Sequence, residues 1–419
     1  MPAFSATHYG DWFRVFVPED IRFVRPKTQT GRISKLVFDL ASTCNMGCSY
    51  CFADRGQYGN HEASAPKLLT ASTAIAVVEK VLENCSHVGH VKFFGGEPLL
   101  AIDAIAATCE RFKRAHLDHE LAQAPAYNII TNGTVFSDAI AAVLRDFGIR
   151  ITISVDGPKD IHDAQRPFTN GKGTFDRISE NITQFHRSGC RLGVLEAVFT
   201  PLHIEAGYSM LSLYKSLRES FARFFETVVV HPLDQPTLNQ LPAGEGKERY
   251  VSEMRQQTRE LYEYLLSTDV ATKDRARFSG MMKMLTAETR DENLCGVGYD
   301  IITVKPDASV YSCYIFSADK SFKYGSILSD AFWDKFHNGG LFGVMDKASR
   351  FKHDACRACD INRVCSHCLS GMTSDAGLQG KLPDVNCDFF IGQIEGFFES
   401  LQEFASQGRF DELCNKVAK

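Results

Sequence analysis

Three cysteines stand close together in the run Cys44-Asn-Met-Gly-Cys48-Ser-Tyr-Cys51. Three thiolates at this spacing can hold three irons of a [4Fe–4S] cluster and leave the fourth iron open. Chemistry can start at that open iron, whereas the clusters of simple electron carriers usually have four protein ligands. Zinc is the alternative metal, but zinc fingers usually show two separated ligand pairs, and this run has no fourth ligand of its own.

A second motif lies further along the chain, where the apolar run Val91-Lys-Phe-Phe94 ends in Gly95-Gly96-Glu97-Pro98. The run predicts a short strand, and the glycine pair predicts a turn that another group can approach closely. The carboxylate of Glu97 is suited to hold an ammonium group in a dry pocket. Standing alone, such a segment would be an ordinary turn, so its meaning depends on the cysteine run that precedes it.

Together with Phe52, which follows the third cysteine, these two motifs resemble those of the radical S-adenosyl-L-methionine (radical SAM) enzymes. The resemblance implies that the open iron chelates the amino and carboxylate groups of S-adenosyl-L-methionine (SAM). An electron from the cluster then cleaves SAM to a 5′-deoxyadenosyl radical. It also implies that Phe52, Gly95, Gly96 and Glu97 contact SAM, with Glu97 holding the methionine ammonium.

The segments Tyr127–Thr134 and Ile151–Pro158 predict two buried strands that end in polar residues. By resemblance we expect an α/β fold, a partial (β/α)6 TIM-like barrel followed by a Cys-rich domain. Working residues of such barrels lie at the carboxyl ends of the strands. We therefore expect four side chains beside the adenosine and the substrate: Thr131, Asn132, Ser154 and Asp156.

The loop from Asp156 to Phe175 resembles that of radical SAM enzymes with a C-terminal SPASM domain, which houses two auxiliary [4Fe–4S] clusters. By that resemblance Ser154 contacts the ribose and Arg166 the methionine carboxylate of SAM. An ordinary surface charge is the alternative role for a lone arginine.

A second group of thiols occupies the C-terminal part of the chain, at a density that packing does not explain. Its members are Cys295, Cys313, Cys356, Cys359, Cys365, Cys368 and Cys387. Four other cysteines are scattered in apolar, helix-like surroundings, as buried free cysteines typically are: Cys85, Cys109, Cys190 and Cys414. Disulfides compete as an explanation, but the sequence shows neither a signal peptide nor a membrane-spanning apolar run, which predicts a reducing cytoplasm.

The SPASM resemblance assigns the thiols of the second group to two clusters. The distal cluster is expected to be held by Cys356, Cys359, Cys365 and Cys387, and the nearer one by Cys295, Cys313 and Cys368. The nearer cluster then lacks one thiolate, so either another group completes it or an iron stays open. Two departures from the usual pattern concern turn geometry: Ala308 replaces a glycine, and Cys365 and Cys368 enclose two residues instead of three.

The length of 419 residues allows a full core and an added module. We predict five parts: an N-terminal extension over 1–35, a radical SAM domain over 36–234, a helical connector over 235–292, a SPASM domain over 293–388 and a C-terminal helix over 389–419. Phenylalanines of the last part are expected in the core. A net charge of −5 without a basic run argues against nucleic acid.

The loop from Cys51 to Gly59 resembles that of maturases of ribosomally made peptides, including those that install thioether, carbon–carbon or cyclophane crosslinks. By this resemblance we expect a peptide maturase that installs an intramolecular crosslink. A crosslinking reaction removes two hydrogens from the precursor peptide, and an electron donor of flavodoxin or ferredoxin type supplies the reducing electron. A leader-binding domain has no room before Cys44. Instead, Trp12–Pro18 and Ile21–Arg25 are predicted to form a hairpin that caps the barrel or edges a peptide groove.

Anaerobic sulfatase maturases, which oxidise Ser or Cys to formylglycine, are the main alternative. By resemblance an acid serves there as base directly after the second SPASM cysteine, where this chain has Tyr314. The catalytic candidates are therefore Tyr314 and, as a base, Asp300, with Asp354 as a further carboxylate. A small-molecule dehydrogenase stays open. An electron-transfer or zinc protein is disfavoured, since neither needs a methionine pocket.

Overall fold

The computed structural model describes residues 17, 20–24, 31–58, 65–267, 275–292, 297, 299–317, 319–338, 349–365, 367 and 384–409. The strands are β1 Arg22–Val24, β2 Arg32–Asp39, β3 His87–Phe94, β4 Ala126–Thr131, β5 Arg150–Ser154, β6 Leu192–Phe199, β7 Thr227–Pro232, β8 Thr289–Asp291, β9 Ile301–Val304, β10 Ser309–Tyr311 and β11 Lys323–Ser326. The helices are α1 Ala71–Asn84, α2 Ile102–Leu117, α3 Asp138–Asp146, α4 Lys159–Gln165, α5 Phe175–Arg187, α6 Pro201–Glu205, α7 Met210–Phe221, α8 Gln235–Gln240, α9 Glu245–Ser267, α10 Arg275–Thr286, α11 Asp330–His337, α12 Asp354–Arg357 and α13 Val385–Ser406.

Within the described ranges, nine strands form one sheet in the order β11-β10-β9-β2-β3-β4-β5-β6-β7. Strands β2 to β7 are parallel and follow one another in chain order, with helices in the connections. Strand β9 also runs parallel to β2, whereas β10 and β11 add an antiparallel edge. The α/β fold is confirmed, and the barrel is open because β7 and β11 stay as separate edges.

Crossover connections place helices against the sheet and bury its strands, so the strands read as apolar runs. Leu36 and Phe38 of β2 are fully buried, as are Val77 and Val81 of α1. Thr70 caps α1 by accepting a hydrogen bond from the Thr73 amide. The carboxyl ends of β2 to β7 therefore meet at one edge, where the candidate site lies.

Helix α13 packs on α9, the long helix of the predicted connector. A Cβ at Gly392 would lie 2.4 Å from the Arg255 carbonyl oxygen, so the two helices approach closely. Phe397 and Phe398 are fully buried, which confirms the expected core role of this phenylalanine stripe. The helix begins at Val385, earlier than the predicted start at residue 389, because Asp384 caps it.

Near the N-terminus, β1 pairs in parallel with β8, with Arg22 opposite Thr289. Most of the other predicted strand, residues 12–18, lies outside the described residues, so the hairpin stays a prediction. In the ranges described, no helix is both long and apolar enough to cross a bilayer.

Candidate active site

A cavity of about 300 Å³ lies at the carboxyl edge of the sheet, beside the loop that follows β2. We call it the active cavity. Cys44, Cys48 and Cys51 all line it. Its walls also include most of the other predicted site residues, namely Phe52, Gly95, Gly96, Thr131, Asn132, Ser154, Arg166 and Tyr314.

Hydrogen-bond donors point at the thiols of the cysteine loop. The Met46 amide donates to Cys44 Sγ at 3.4 Å and the Arg55 amide to Cys51 Sγ at 3.3 Å. Burial raises the pKa of Cys44 to about 12, and nearby Glu97 adds to the shift. Coordinated thiols are deprotonated by the charge of the metal, so half-buried thiols that receive amide hydrogen bonds fit an iron–sulfur cluster.

The glycine pair after β3 packs directly on the cysteine loop. A Cβ at Gly96 would lie 2.2 Å from the Thr43 carbonyl oxygen and 2.6 Å from that of Arg55. Gly95 has a φ of 135°, a conformation that L side chains rarely adopt. The close approach expected of this motif is thus made to the loop that carries the cysteines.

Glu97 is fully buried and lies outside the lining of the active cavity. Its carboxylate accepts hydrogen bonds from Thr131 Oγ1 at 2.7 Å, the Asn132 amide at 2.8 Å and the Leu99 amide at 3.0 Å. Burial raises its pKa, and these three hydrogen bonds oppose the shift. Glu97 thereby holds the end of β4 in place, and its contact with a methionine ammonium stays a prediction.

Arg166 lines the active cavity and is held from behind by a buried chain of polar groups. Its Nη1 donates to Tyr50 Oη at 2.7 Å, and Tyr50 in turn donates to Asp156. Asp156 also accepts from Gln165 Nε2 at 2.9 Å and from the Val198 amide at 3.1 Å.

Asp156 is fully buried outside the cavity lining, like Glu97, so its contact with the cofactor stays a prediction. Its hydrogen bonds connect the end of β5 to β6 and orient Arg166. Tyr50 was missed, although it lies inside the cysteine run. Its apolar ring gave no sign that the hydroxyl would join an ion-pair network.

The two catalytic candidates, Tyr314 and Asp300, lie at opposite ends of the parallel strands. Tyr314 lines the active cavity, with its ring 4.3 Å from that of Phe94. The Asp300 carbonyl accepts from the Ser34 amide near the start of β2, about 17 Å along the strand from its end. The prediction for Asp300 is therefore wrong, because β9 runs parallel to β2 and Asp300 precedes β9.

Several charged residues at or near the active cavity were not predicted, and Glu196 and Lys92 are two of them. Glu196 of β6 lines it and accepts from His231 Nε2 at 3.1 Å. Burial alone would raise the pKa of Glu196. The hydrogen bond from His231 and the nearby positive charges together outweigh burial, so the pKa of Glu196 is lowered. Lys92 lies 5.0 Å from the Tyr314 ring centre, and burial lowers its pKa. A lysine inside the apolar run of β3 was a signal that sequence reasoning passed over.

A second group of thiols gathers beside two arginines, of which Arg350 is buried and Arg290 half-buried. Burial raises the pKa of Cys356 to about 11 and that of Cys365 to about 12, and neighbouring thiols add to both shifts. Arg290 and Arg350 face these thiols, and burial lowers the pKa of both guanidinium groups. Arg290 Nε and Nη2 are buried without a hydrogen-bond partner among the described residues.

Buried cations beside a group of thiols fit an anionic iron–sulfur cluster, which would supply the missing acceptors. Cys387 stands in the first turn of α13, where its amide donates to Asp384 Oδ1 at 2.9 Å. His367 Nε2 lies 2.9 Å from the same oxygen. Cys295 and Cys368 lie outside the described residues, so the thiol set of the nearer cluster stays a prediction.

Ala308, the departure from the expected glycine, has a φ of 59° in the turn between β9 and β10. A side chain in this left-handed region carries a steric cost that glycine avoids. The turn therefore keeps a shape that suits glycine, although the residue is alanine.

Comparison with known proteins agrees with this fold. Residues 40–203 match the family model of the radical SAM superfamily. The cysteine-type anaerobic sulfatase-maturating enzyme of Clostridium novyi (strain NT) is 24% identical over 383 residues, which cover 88% of this chain and 94% of that enzyme.

Two solved structures share the architecture. Native anSMEcpe with bound AdoMet and Cp18Cys peptide has a TM-score of 0.67 at 20% identity, covering 92% of this chain and 98% of that chain. Streptococcus suis SuiB bound to precursor peptide SuiA has a TM-score of 0.51 at 15% identity, covering 85% of this chain and 76% of that chain. At these identities the likeness concerns the fold.

Proposed function

This chain has a radical SAM domain and is homologous to a radical SAM maturase, and from this premise we propose that it abstracts hydrogen from a side chain of a peptide substrate. The observation that carries the proposal is one cavity that contains the three cysteines, the ends of the parallel strands and the Arg166 guanidinium. Bound peptides in two proteins of similar fold support a peptide as substrate.

The residues of the active cavity have separate roles in this proposal. Cys44, Cys48 and Cys51 would hold a [4Fe–4S] cluster, which together with SAM would supply a carbon radical strong enough to take hydrogen from a side chain. Arg166 binds a carboxylate through its planar fork of donors. Asn132 and Ser154 offer polar groups to the remainder of the cofactor.

For the product, we propose an intramolecular crosslink within the peptide. After hydrogen abstraction, bond formation requires the loss of one more proton and one more electron, so the peptide loses two hydrogens in all. Tyr314 lines the active cavity at the position where the resemblance predicts an acid. An aromatic residue in place of that acid favours attack on a neighbouring group of the peptide over formation of an aldehyde.

The second candidate is formylglycine formation, and two observations favour it. The match to a sulfatase-maturating enzyme spans 94% of that enzyme. In addition, Glu196 places a half-buried carboxylate in the wall of the active cavity. A carboxylate there is a suitable base for the alcohol or thiol proton that aldehyde formation must remove.

Auxiliary clusters and the electron donor complete the proposal. Cys356, Cys359, Cys365 and Cys387 would hold a cluster able to accept an electron. A flavodoxin or ferredoxin would supply the electron that starts each turnover.

The test is anaerobic co-expression with each short open reading frame beside the gene, followed by intact and tandem mass spectrometry of the peptide. We expect a loss of two hydrogens in a residue pair that resists fragmentation and does not react with a hydrazide. A product that forms a hydrazone with that probe would establish the aldehyde instead. The matched control replaces the three cysteines of the loop together by alanine; any product formed by that variant would refute radical SAM chemistry.

A further inference from the structure

A second cavity, of about 450 Å³, adjoins the cysteine loop on another side. Five cationic side chains line it, and we call it the basic cavity. They are Arg55, Lys67, Lys305, Lys320 and Lys323. Among the described residues of its lining, Asp307 is the one carboxylate.

The positive charge of the basic cavity is only partly compensated by the protein. Lys305 Nζ lies 2.8 Å from Asp39 Oδ2, and its side chain is 13% exposed, so this charge is neutralised and fixed. Lys323 Nζ lies 3.9 Å from the exposed Asp307 carboxylate, a separation at which surface pairs contribute little. Neither Arg55 nor Lys67 makes an ion pair with any residue that the structure describes.

Arg55 connects the two cavities, because this residue lines both of them. It belongs to the turn Asp54–Gly56 that follows the third cysteine, where its own φ is 58°. A ligand in the basic cavity therefore lies beside whatever occupies the active cavity. One extended peptide can place one residue in the active cavity and nearby residues in the basic cavity.

We propose that the basic cavity binds the carboxylate side chains of an acidic segment of the peptide substrate, close in sequence to the residue that reacts. This inference rests on the proposed function and adds a charge preference to its substrate. A recessed cavity favours side chains of an extended peptide over the convex surface of a folded acidic protein. Three cations of the basic cavity, Arg55, Lys67 and Lys323, have no strong ion-pair partner among the described residues, and its described lining offers one carboxylate.

The test measures binding to the anaerobically reconstituted enzyme by fluorescence anisotropy. The probe is a short fluorescein-labelled Gly-Ser peptide with consecutive glutamates, and its partner probe carries glutamines at the same positions. We expect the glutamate peptide to bind more tightly, and the difference to shrink as salt is raised. The double variant Lys67→Gln and Lys323→Gln should weaken glutamate-peptide binding by roughly two- to fivefold per charge.

The matched control is Lys335→Gln, which removes an exposed charge from α11, outside the basic cavity. This control should leave the affinity unchanged. Equal affinity for the two probes, or an equal loss in the control, would overturn the proposal. A third outcome would also overturn the proposal. If the double variant bound the glutamate peptide normally and cleaved SAM with the chemical reductant dithionite but not with flavodoxin, the basic cavity would bind an acidic electron donor instead.

Peptide binding does not require turnover, which separates this inference from the proposed function. Charge-selective binding without any change in peptide mass would support the basic cavity and count against the maturase reaction. A crosslinked product from an enzyme that binds the glutamate and glutamine probes equally would support the maturase reaction and overturn the proposal for the basic cavity.

Discussion

Replacing Gly96 by alanine tests whether the turn after β3 positions the cysteine loop. A Cβ at this position would lie 2.2 Å from the Thr43 carbonyl oxygen, and real Cβ atoms essentially never approach closer than 3.0 Å. The loop must therefore retreat by about 0.8 Å. Overpacking of this kind typically costs about 1–3 kcal/mol of unfolding free energy. A shift of about 1 Å in a reacting group can cost roughly a hundredfold in rate.

The assay compares iron content, SAM cleavage rate and thermal unfolding of anaerobically reconstituted Gly96→Ala with those of Gly244→Ala. Gly244 is a matched control, because no atom lies within 4 Å of a Cβ placed there and its φ is not in the left-handed region. We expect Gly96→Ala to lose cleavage by roughly two orders of magnitude while the control stays near wild type. Wild-type cleavage by Gly96→Ala would refute the inference that the glycine positions the loop.

Three further predictions concern single side chains. Arg166→Lys keeps a charge but loses the planar fork, so SAM binding measured by equilibrium dialysis should weaken by about tenfold or more; unchanged affinity would remove Arg166 from the SAM site. Burial, together with the nearby charge of Arg166, lowers the pKa of His162 from 6.5 to about 4. Between these two pH values the imidazole is protonated in the unfolded chain but neutral in the folded protein. Stability should therefore fall as the pH drops below 6.5, by about 2 kcal/mol at pH 5, and denaturant titrations of His162→Asn should lack this component. Ala308→Gly removes the steric cost of a positive φ and should raise stability by up to about 1 kcal/mol; a lower melting temperature would show that the alanine side chain contributes packing that outweighs its backbone strain.

Much of the fold and of the site followed from local sequence patterns. The spacing of Cys44, Cys48 and Cys51 indicates a metal site without reference to the fold, because ligands that are neighbours in sequence stay neighbours in space. Apolar runs that end in polar residues predicted the parallel strands and the edge at which the cavity lies. For the same reason Thr131 and Ser154 were correctly expected at that edge.

Other predictions required contacts between residues far apart in the chain. Asp300 and Tyr314 were both catalytic candidates on the basis of sequence. The parallel pairing of β9 with β2 places Asp300 at the amino edge of the sheet, while Tyr314 lines the active cavity. Strand direction therefore separates the positions of the two residues, and no local pattern reveals the direction in which two distant strands pair.

The sequence alone determined which residues can bind metal and in which order the strands of the fold occur. Tertiary structure decided which charges face the active cavity. It buried Asp156 behind Arg166, placed Glu196 in the cavity wall and brought Arg55 near Lys323 in the basic cavity. The physical reason is that ligand spacing and strand periodicity are local properties, whereas burial and electrostatic environment depend on how distant elements pack.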